Sequence, residues 1–258
     1  MTDASLSSRR LAVAFGMVLR MLVRSRIVLM LLFIVPSLFY AVVLLTTTES
    51  PIVFQLASVG DGVAVTVSKR SEALVFIGLA AVGLLTAFLA MNLVQREAEA
   101  NRRLVLCGYR PAELVTARLA VLVCVIVVIA TYVVAVLPLF FDPERIVLVA
   151  LGFVLVGWVY GCYGLLVGAL FRRNLEGILF VVLLANIDAG WLQNPIYYGD
   201  AQNQAVIRSL PAYFPSQVSM AAAFTDFAVG RPAGGALVYG GALLLAAVVI
   251  YGLRMRRR

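Results

Sequence analysis

Long runs of apolar residues alternate with shorter polar and charged segments along this chain of 258 residues. A helix needs about 20 residues to cross roughly 30 Å of hydrocarbon, so each long run is a candidate transmembrane helix. Six runs qualify, the fifth being short: Ile27 to Leu45, Ala73 to Val94, Leu114 to Phe140, Ile146 to Phe171, Gly177 to about Leu192, and Ala233 to Leu253. The pattern predicts an all-α membrane protein in which residues 27–258 form one domain of six transmembrane helices.

The composition agrees with a membrane environment and excludes most soluble classes of protein. Hydrophobic residues make up 63% of the chain and charged residues 13%, against about 25% charged residues in an ordinary soluble domain. Too few polar side chains remain to cover a water-soluble body of this size. Histidine is absent, which removes the mechanisms that need an imidazole as a base, a metal ligand or a haem ligand.

The basic residues indicate how the chain is oriented in the membrane. One side receives most of them: Arg9, Arg10, Arg20, Arg24, Arg26, Arg96, Arg102, Arg103, Arg110, Arg118, Arg172, Arg173, Arg254, Arg256, Arg257 and Arg258. The other side receives Lys69, Arg70, Arg145, Arg208 and Arg231. The positive-inside rule therefore predicts that both termini are cytoplasmic. An even number of spans agrees with this prediction, because it puts both termini on the same side.

The formal charge of +8 is then explained mostly by arginines that face the anionic lipids of the cytoplasmic leaflet. No nucleic-acid partner is expected. Twenty arginines against one lysine indicate a GC-rich bacterial genome. We therefore expect a multi-pass protein of the bacterial plasma membrane.

Residues 1–26 form a cytoplasmic segment that precedes the first span. At 100° per residue, its basic side chains fall within an arc of about 100°, and apolar residues such as Leu11, Val18 and Leu22 cover much of the remaining surface. These basic residues are Arg9, Arg10, Arg20 and Arg24. The pattern predicts an interfacial amphipathic helix whose arginines contact lipid headgroups. The alternative is a simple charge cluster that only sets the topology.

A charged segment of nearly twenty residues connects the second and third spans. It contains good helix formers up to Cys107, and Glu99 and Arg103 form a favourable pair four residues apart. Gly108 would end this helix, and Pro111 suits the first turn of the next one. The segment predicts a short helix that docks a cytoplasmic partner, whereas the alternative is a solvated connecting loop.

The segments on the opposite side are less charged. Residues 46–72 contain a short β-like run from Val63 to Val67, and residues 141–145 contain the turn signal Asp142-Pro143 between two spans. Residues 193–232 are polar in places and include a stretch from Ser216 to Ala228 that is too short to span. We expect that stretch to lie at the outer interface or to dip into it.

Two features inside the spans carry alternative interpretations. Four glycines of the fourth span share one helical face, which favours close packing with another helix, either within the chain or between subunits. They are Gly157, Gly161, Gly164 and Gly168. In the fifth span, Asp188 and Asn186 would line a translocation path, or Asp188 would satisfy the backbone of a broken helix near the outer face.

Motifs for enzymatic chemistry are missing from the sequence. The chain has no Gly-rich phosphate loop followed by Gly-Lys-Ser/Thr, no His-Glu-x-x-His, no Cys-x-x-Cys and no acidic cluster suited to a divalent metal. We therefore expect a chain without catalytic activity and without a cofactor or metal of its own.

The order of these parts resembles the membrane subunit of type-2 ABC transporters, the exporter class with separate permease and ATPase chains. The resemblance covers nearly the whole chain: the basic N-terminal helix, the six spans, the charged helix after the second span, the turn Arg172-Arg173-Asn174-Leu175-Glu176, and the stretch Leu210-Pro211-Ala212-Tyr213-Phe214-Pro215. The resemblance is one of architecture and not of exact sequence. In the first cytoplasmic loop, members of the family commonly show Glu-Arg and then Gly-Thr, whereas this chain has Arg96-Glu97-Ala98-Glu99.

The resemblance implies a pair of permease subunits, homomeric or heteromeric, with two ATP-binding subunits docked below them. ATP and Mg²⁺ would bind to those partners. Coupling residues would be Arg96, Glu97, Glu99, Arg102, Arg103, Arg172 and Arg173. The cargo implied is hydrophobic or amphipathic, such as a lipid, a drug or a natural product. Two alternatives remain: a secondary carrier that uses Asp188, and a scaffold or immunity subunit that transports nothing.

Overall fold

The protein is described by a computed structural model over residues 3–56, 64–95, 111–171, 173–199 and 202–256. The long helices are α1 (Asp3–Arg24), α2 (Arg26–Thr46), α3 (Lys69–Gln95), α4 (Pro111–Val136), α5 (Ile146–Leu170), α6 (Asn174–Ile187) and α10 (Gly230–Arg256). The shorter elements are strands β1 (Pro51–Gln55) and β2 (Ala64–Ser68), and helices α7 (Pro195–Gly199), α8 (Gln204–Arg208) and α9 (Tyr213–Phe224). A 3₁₀ turn at Leu137–Leu139 extends α4, and a π-helical turn at Asp188–Leu192 extends α6.

Six helical segments in the described residues are long and apolar enough to cross a membrane, as the apolar runs predict. They cover Arg26–Thr46, Lys69–Gln95, Glu113–Leu139, Ile146–Leu170, Asn174–Leu192 and Gly230–Leu253. The fifth reaches spanning length only because the π-helical turn continues α6 to Leu192. The prediction of a multi-pass helical membrane protein is confirmed.

Helix α5 is the centre of the bundle, because α3, α4, α9 and α10 all pack against it. Its four glycines on one face contact two neighbours. A Cβ atom on Gly157 would lie 2.6 Å from a methyl carbon of Ile126 on α4. On Gly164 a Cβ would collide with the carbonyl of Ala87 on α3. These glycines therefore bring α5 within backbone contact of α3, which is the close approach that small residues permit in lipid.

The term all-α needs one correction, because β1 and β2 form an antiparallel hairpin. Their register runs from Pro51 opposite Ser68 to Gln55 opposite Ala64. The β-like run at residues 63–67 is thus a strand at 64–68, and α3 follows it directly at Lys69. This start is four residues earlier than the predicted span, and it places Glu72 inside the helix.

Helix α9 lies inside the bundle. Ten of its twelve residues are buried, and its backbone approaches α5 so closely that a Cβ on Gly152 would lie 2.9 Å from the amide nitrogen of Ser219. The predicted helical stretch at residues 216–228 is therefore observed at 213–224 as a packed element. Small side chains at positions such as Ala221 and Ala222 allow this fit.

The two ends of the bundle differ. One end, which we call the terminal end, includes α1, Gln95, the start of α4, Phe171 and the last turns of α10. Opposite it lies the hairpin end, which carries β1, β2 and α7 to α9. Helix α1 packs at the terminal end, where Ala14 contacts Leu114 and Ala117 of α4.

The contact at Gly164 can be tested by adding one methyl group. We expect Gly164→Ala to destabilise the protein by about 1–3 kcal/mol, because overpacking forces the α3 and α5 backbones apart. The matched control is Gly241→Ala on α10, where no atom lies within 4 Å of the added Cβ. Thermal unfolding in mild detergent measures both variants. Equal melting temperatures for the two would contradict the close approach of α3 and α5.

Candidate functional site

Charged residues are confined to the two ends of the bundle. The apolar stretches at residues 27–45, 73–94, 119–140, 146–171, 177–187 and 233–253 contain no Asp, Glu, Lys or Arg. A network of buried polar groups surrounds Asp188 at the hairpin end. Two further charged residues, Glu113 and Arg118, are buried near the start of α4 at the terminal end.

Asp188 is fully buried and accepts hydrogen bonds on both carboxylate oxygens. Its Oδ2 atom accepts from the hydroxyl of Tyr160 at 2.7 Å and from the backbone N–H of Ala212 at 2.7 Å. Its Oδ1 atom accepts from Nε2 of Gln193 at 2.7 Å. The same Gln193 nitrogen also donates to the carbonyl of Ile207 at 3.2 Å. All three partners donate, which matches the acceptor-only character of an ionised carboxylate.

This network fixes the beginning of α9. Ala212 is the residue immediately before α9, so Asp188 satisfies one of the N–H groups that a helix leaves without an internal partner. A carboxylate at this position also interacts favourably with the helix dipole. Because Tyr160 belongs to α5, the single side chain of Asp188 joins α5, the end of α6 and the start of α9.

Arg145 holds the opposite end of α9. Its guanidinium donates to the carbonyls of Thr225 at 2.8 Å and Phe227 at 2.6 Å. Backbone N–H groups of Glu144 and Arg145 donate to two further carbonyls near the end of α9. A cation near a helix C-terminus is favourable for the same electrostatic reason as a carboxylate at the start. The short helix is therefore held at both ends by opposite charges.

The sequence predicted a possible translocation path that includes Asn186 and Asp188, but the structure does not bring the two together. Asn186 is exposed on α6, and its amide donates to the carbonyl of Val182 at 2.8 Å. Asp188 faces the interior and has no exposed surface. Its carboxylate satisfies the backbone N–H of Ala212, while a role of the two residues in a translocation path stays a prediction.

Further ionisable residues are buried near helix ends, so Asp188 is not alone. Glu72 is 1% exposed in the first turn of α3, and its Oε1 atom has no hydrogen-bond partner among the described residues. Glu113 and Arg118 are each 7% exposed in α4. The sequence interpretation missed Glu72 because the span was expected to begin after it. An acidic residue directly after Lys69-Arg70-Ser71 is compatible with the first turn of a helix. This pattern could have predicted that the helix begins before Glu72.

The predicted coupling residues lie almost wholly outside the described part of the chain. Arg96, Glu97, Glu99, Arg102, Arg103 and Arg172 are not among the described residues, whereas Arg173 is. Nε2 of Gln95 donates to the carbonyl of Phe171 at 3.3 Å. Gln95 is the last residue before segment 96–110. Phe171 is the last residue before Arg172, which is followed by the exposed Arg173. Both predicted cytoplasmic segments therefore begin at neighbouring points.

The N-terminal helix adds a third element to this place. Its apolar residues Ala14, Val18 and Leu22 are buried against the bundle. The opposite face carries two kinds of exposed side chain in alternation: Arg10, Arg20 and Arg24, and Val13, Met17 and Met21. Long basic side chains beside exposed apolar ones suit the boundary between hydrocarbon and headgroups. The side chain of Arg9 lies outside the described part of the chain.

Comparison with known proteins gives no assignment: no protein-family model and no curated protein sequence matches this chain. The functional interpretation therefore depends on the sequence pattern and on the contacts described above.

Replacing Asp188 tests whether the network is structural. We expect Asp188→Asn to destabilise the protein by about 1–3 kcal/mol, because an amide nitrogen would face a hydrogen-bond donor and leave it unsatisfied. Asn186→Ala, on the exposed side of the same helix, is the control and should change stability by less than about 0.5 kcal/mol. Thermal unfolding in detergent measures both. An unchanged melting temperature for Asp188→Asn would refute the structural role.

Proposed function

We propose that the chain is the permease subunit of an ATP-driven exporter of the type-2 ABC class. The observation that carries this proposal is the convergence of three segments at the terminal end. Helix α1 packs on the start of α4, and Gln95 at the end of α3 binds the carbonyl of Phe171. A partner protein docked there would contact all three segments at once.

The structure offers a direct route for a mechanical input. Segment 96–110 joins the C-terminal end of α3 to α4, so a force on it acts on both helices. Because α3 packs against α5 along much of its length, displacement of α3 would displace α5 as well. Tightly packed helices transmit such shifts because packed interfaces switch between discrete arrangements. This is the behaviour required of a permease whose energy source lies on another chain.

The orientation in this proposal follows from the basic residues. The terminal end faces the cytoplasm, because most of the arginines belong to it. The membrane is the bacterial plasma membrane, and α1 lies in its cytoplasmic interface. Partner ATP-binding subunits would hold ATP and Mg²⁺ in this arrangement, since the chain has no phosphate-binding loop.

A second permease subunit would complete the transporter. Helices α2, α6 and α10 leave most of their surface exposed in the single chain, and these apolar faces are available to lipid and to a second copy. The hairpin end is filled by α9, so the chain as described is closed on the side opposite the ATPase. A hydrophobic or amphipathic cargo suits a bundle whose span interiors contain no charged residues.

The carrier alternative is less well supported by the geometry. A carrier that couples transport to a proton or sodium gradient places ionisable groups near the middle of the bilayer. Here Glu72, Glu113, Arg118 and Asp188 lie near helix ends, and the carboxylate of Asp188 is engaged by three donors. No observation favours a scaffold without transport over the exporter.

The proposal predicts a physical partner. Purification of the tagged chain from its native membrane in mild detergent should recover a P-loop ATPase, identified by mass spectrometry. The complex should hydrolyse ATP in proteoliposomes, whereas the chain alone should not. Recovery of the chain without such a protein, under conditions that preserve its fold, would contradict the exporter proposal.

Reversing the charges of the coupling segment tests the docking surface. The variant carries Glu97→Lys, Glu99→Lys, Arg102→Glu and Arg103→Glu, which keeps the net charge constant and so preserves the topology signal. We expect loss of ATPase binding and at least a tenfold loss of transport. The control exchanges an ion pair at the hairpin end, Glu49→Arg with Arg70→Glu, and should transport normally. Normal ATPase binding by the fourfold variant would remove the docking assignment.

A further inference from the structure

A crevice opens at the terminal end between α4 and α10. Both helices pack against α5, but they make little contact with each other. The crevice has a volume of about 70 Å³, and its deepest walls are the buried side chains of Leu165 and Ala169 on α5 and Ala247 on α10. Val248 at its rim is 47% exposed, so the crevice is accessible from the membrane side of the bundle.

Arg118 is the one charged residue among those that line this crevice. The remaining lining residues are valine, leucine, alanine and tyrosine. Arg118 lies about two turns into α4 and is 7% exposed. A guanidinium remains charged at physiological pH and has five N–H donors, so it can serve an additional acceptor beside its contacts within the protein. The crevice thus combines apolar walls with one fixed positive charge.

The size of the crevice restricts what can enter it. Sites for drug-sized molecules have volumes of about 300–1,000 Å³, several times the volume available here. A slender alkyl chain fits such a space, and the rest of the molecule would remain in the bilayer. Tyr251 on α10 also lines the crevice, and tyrosine is enriched at the level of the lipid headgroups.

We propose that this crevice binds one acyl chain of an anionic phospholipid, with the lipid phosphate held at Arg118. The lipid comes from the leaflet at the terminal end, where α1 presents Arg10, Arg20 and Arg24 to the same headgroup layer. The site is independent of the exporter proposal, because it needs neither nucleotide nor a partner chain. It goes beyond that proposal by assigning a specific lipid to a defined place.

Native mass spectrometry of the purified full chain can test the lipid preference. The chain is incubated with equal amounts of phosphatidylglycerol and phosphatidylcholine that carry identical acyl chains. The wild-type chain should retain the anionic lipid preferentially, and Arg118→Gln should reduce that preference about fivefold, the effect of one basic side chain near the membrane surface. Arg118→Lys should keep most of it. Arg231→Gln, an exposed arginine at the hairpin end, is the matched control and should change the preference less than about twofold.

A second variant tests the acyl-chain part of the site and keeps the proposal testable if Arg118→Gln does not fold. Ala247→Leu fills the crevice without altering any charge, so it should reduce retention of both lipids at least threefold. Three results would overturn the proposal: equal retention of the two lipids by the wild type, an equal loss of preference in Arg231→Gln, or undiminished retention by Ala247→Leu. Because no ATPase is present in the measurement, its failure would leave the exporter proposal untouched.

Discussion

The structure depends on one constraint, which is that backbone polar groups inside the hydrocarbon must be satisfied by the protein itself. Helix α9 is short and mostly buried, and the backbone groups that its two ends leave without helical partners are bonded by side chains. Asp188 binds the N–H of Ala212 at one end, and Arg145 binds the carbonyls of Thr225 and Phe227 at the other. Each of these charges would be costly in a membrane on its own, and each helix end would be costly without a partner. The bonds between them offset both costs.

Placing α9 inside the bundle has consequences for its neighbours. Gly152 of α5 allows the backbone of Ser219 on α9 to contact α5. Gly164, on another part of α5, allows the backbone of α3 to contact it. In lipid, helices associate through close packing and interhelical hydrogen bonds rather than through a hydrophobic driving force. The glycines of α5 are therefore required by contacts on several sides, and Tyr160 adds a hydrogen bond to Asp188 from the same helix.

The spans could be predicted from the sequence because bilayer thickness fixes the length of an apolar run. All six observed spans end within about one residue of the predicted position, whereas the second, fifth and sixth begin three or four residues earlier. The second begins earlier because Lys69, Arg70 and Glu72, which have the composition of a loop, form its first turn. The partners of Asp188 and the bond from Gln95 to Phe171 could not be predicted. Apart from Gln193, which is five residues from Asp188, these partners are at least 24 positions apart in the chain, and only the packing of α3, α5, α6 and α9 brings them together.

In the proposed exporter, these contacts connect the two ends of the bundle through α3 and α5. Gln95 lies at the terminal end of α3, and Ala87, two turns further, is in backbone contact with Gly164 of α5. Helix α5 continues to Tyr160, which donates to Asp188. A displacement that begins at segment 96–110 would therefore reach the start of α9 through two tight contacts. Ala212 at the start of α9 and Tyr160 of α5 donate to the same carboxylate oxygen of Asp188, so a displacement of Tyr160 would act on α9 through that shared oxygen.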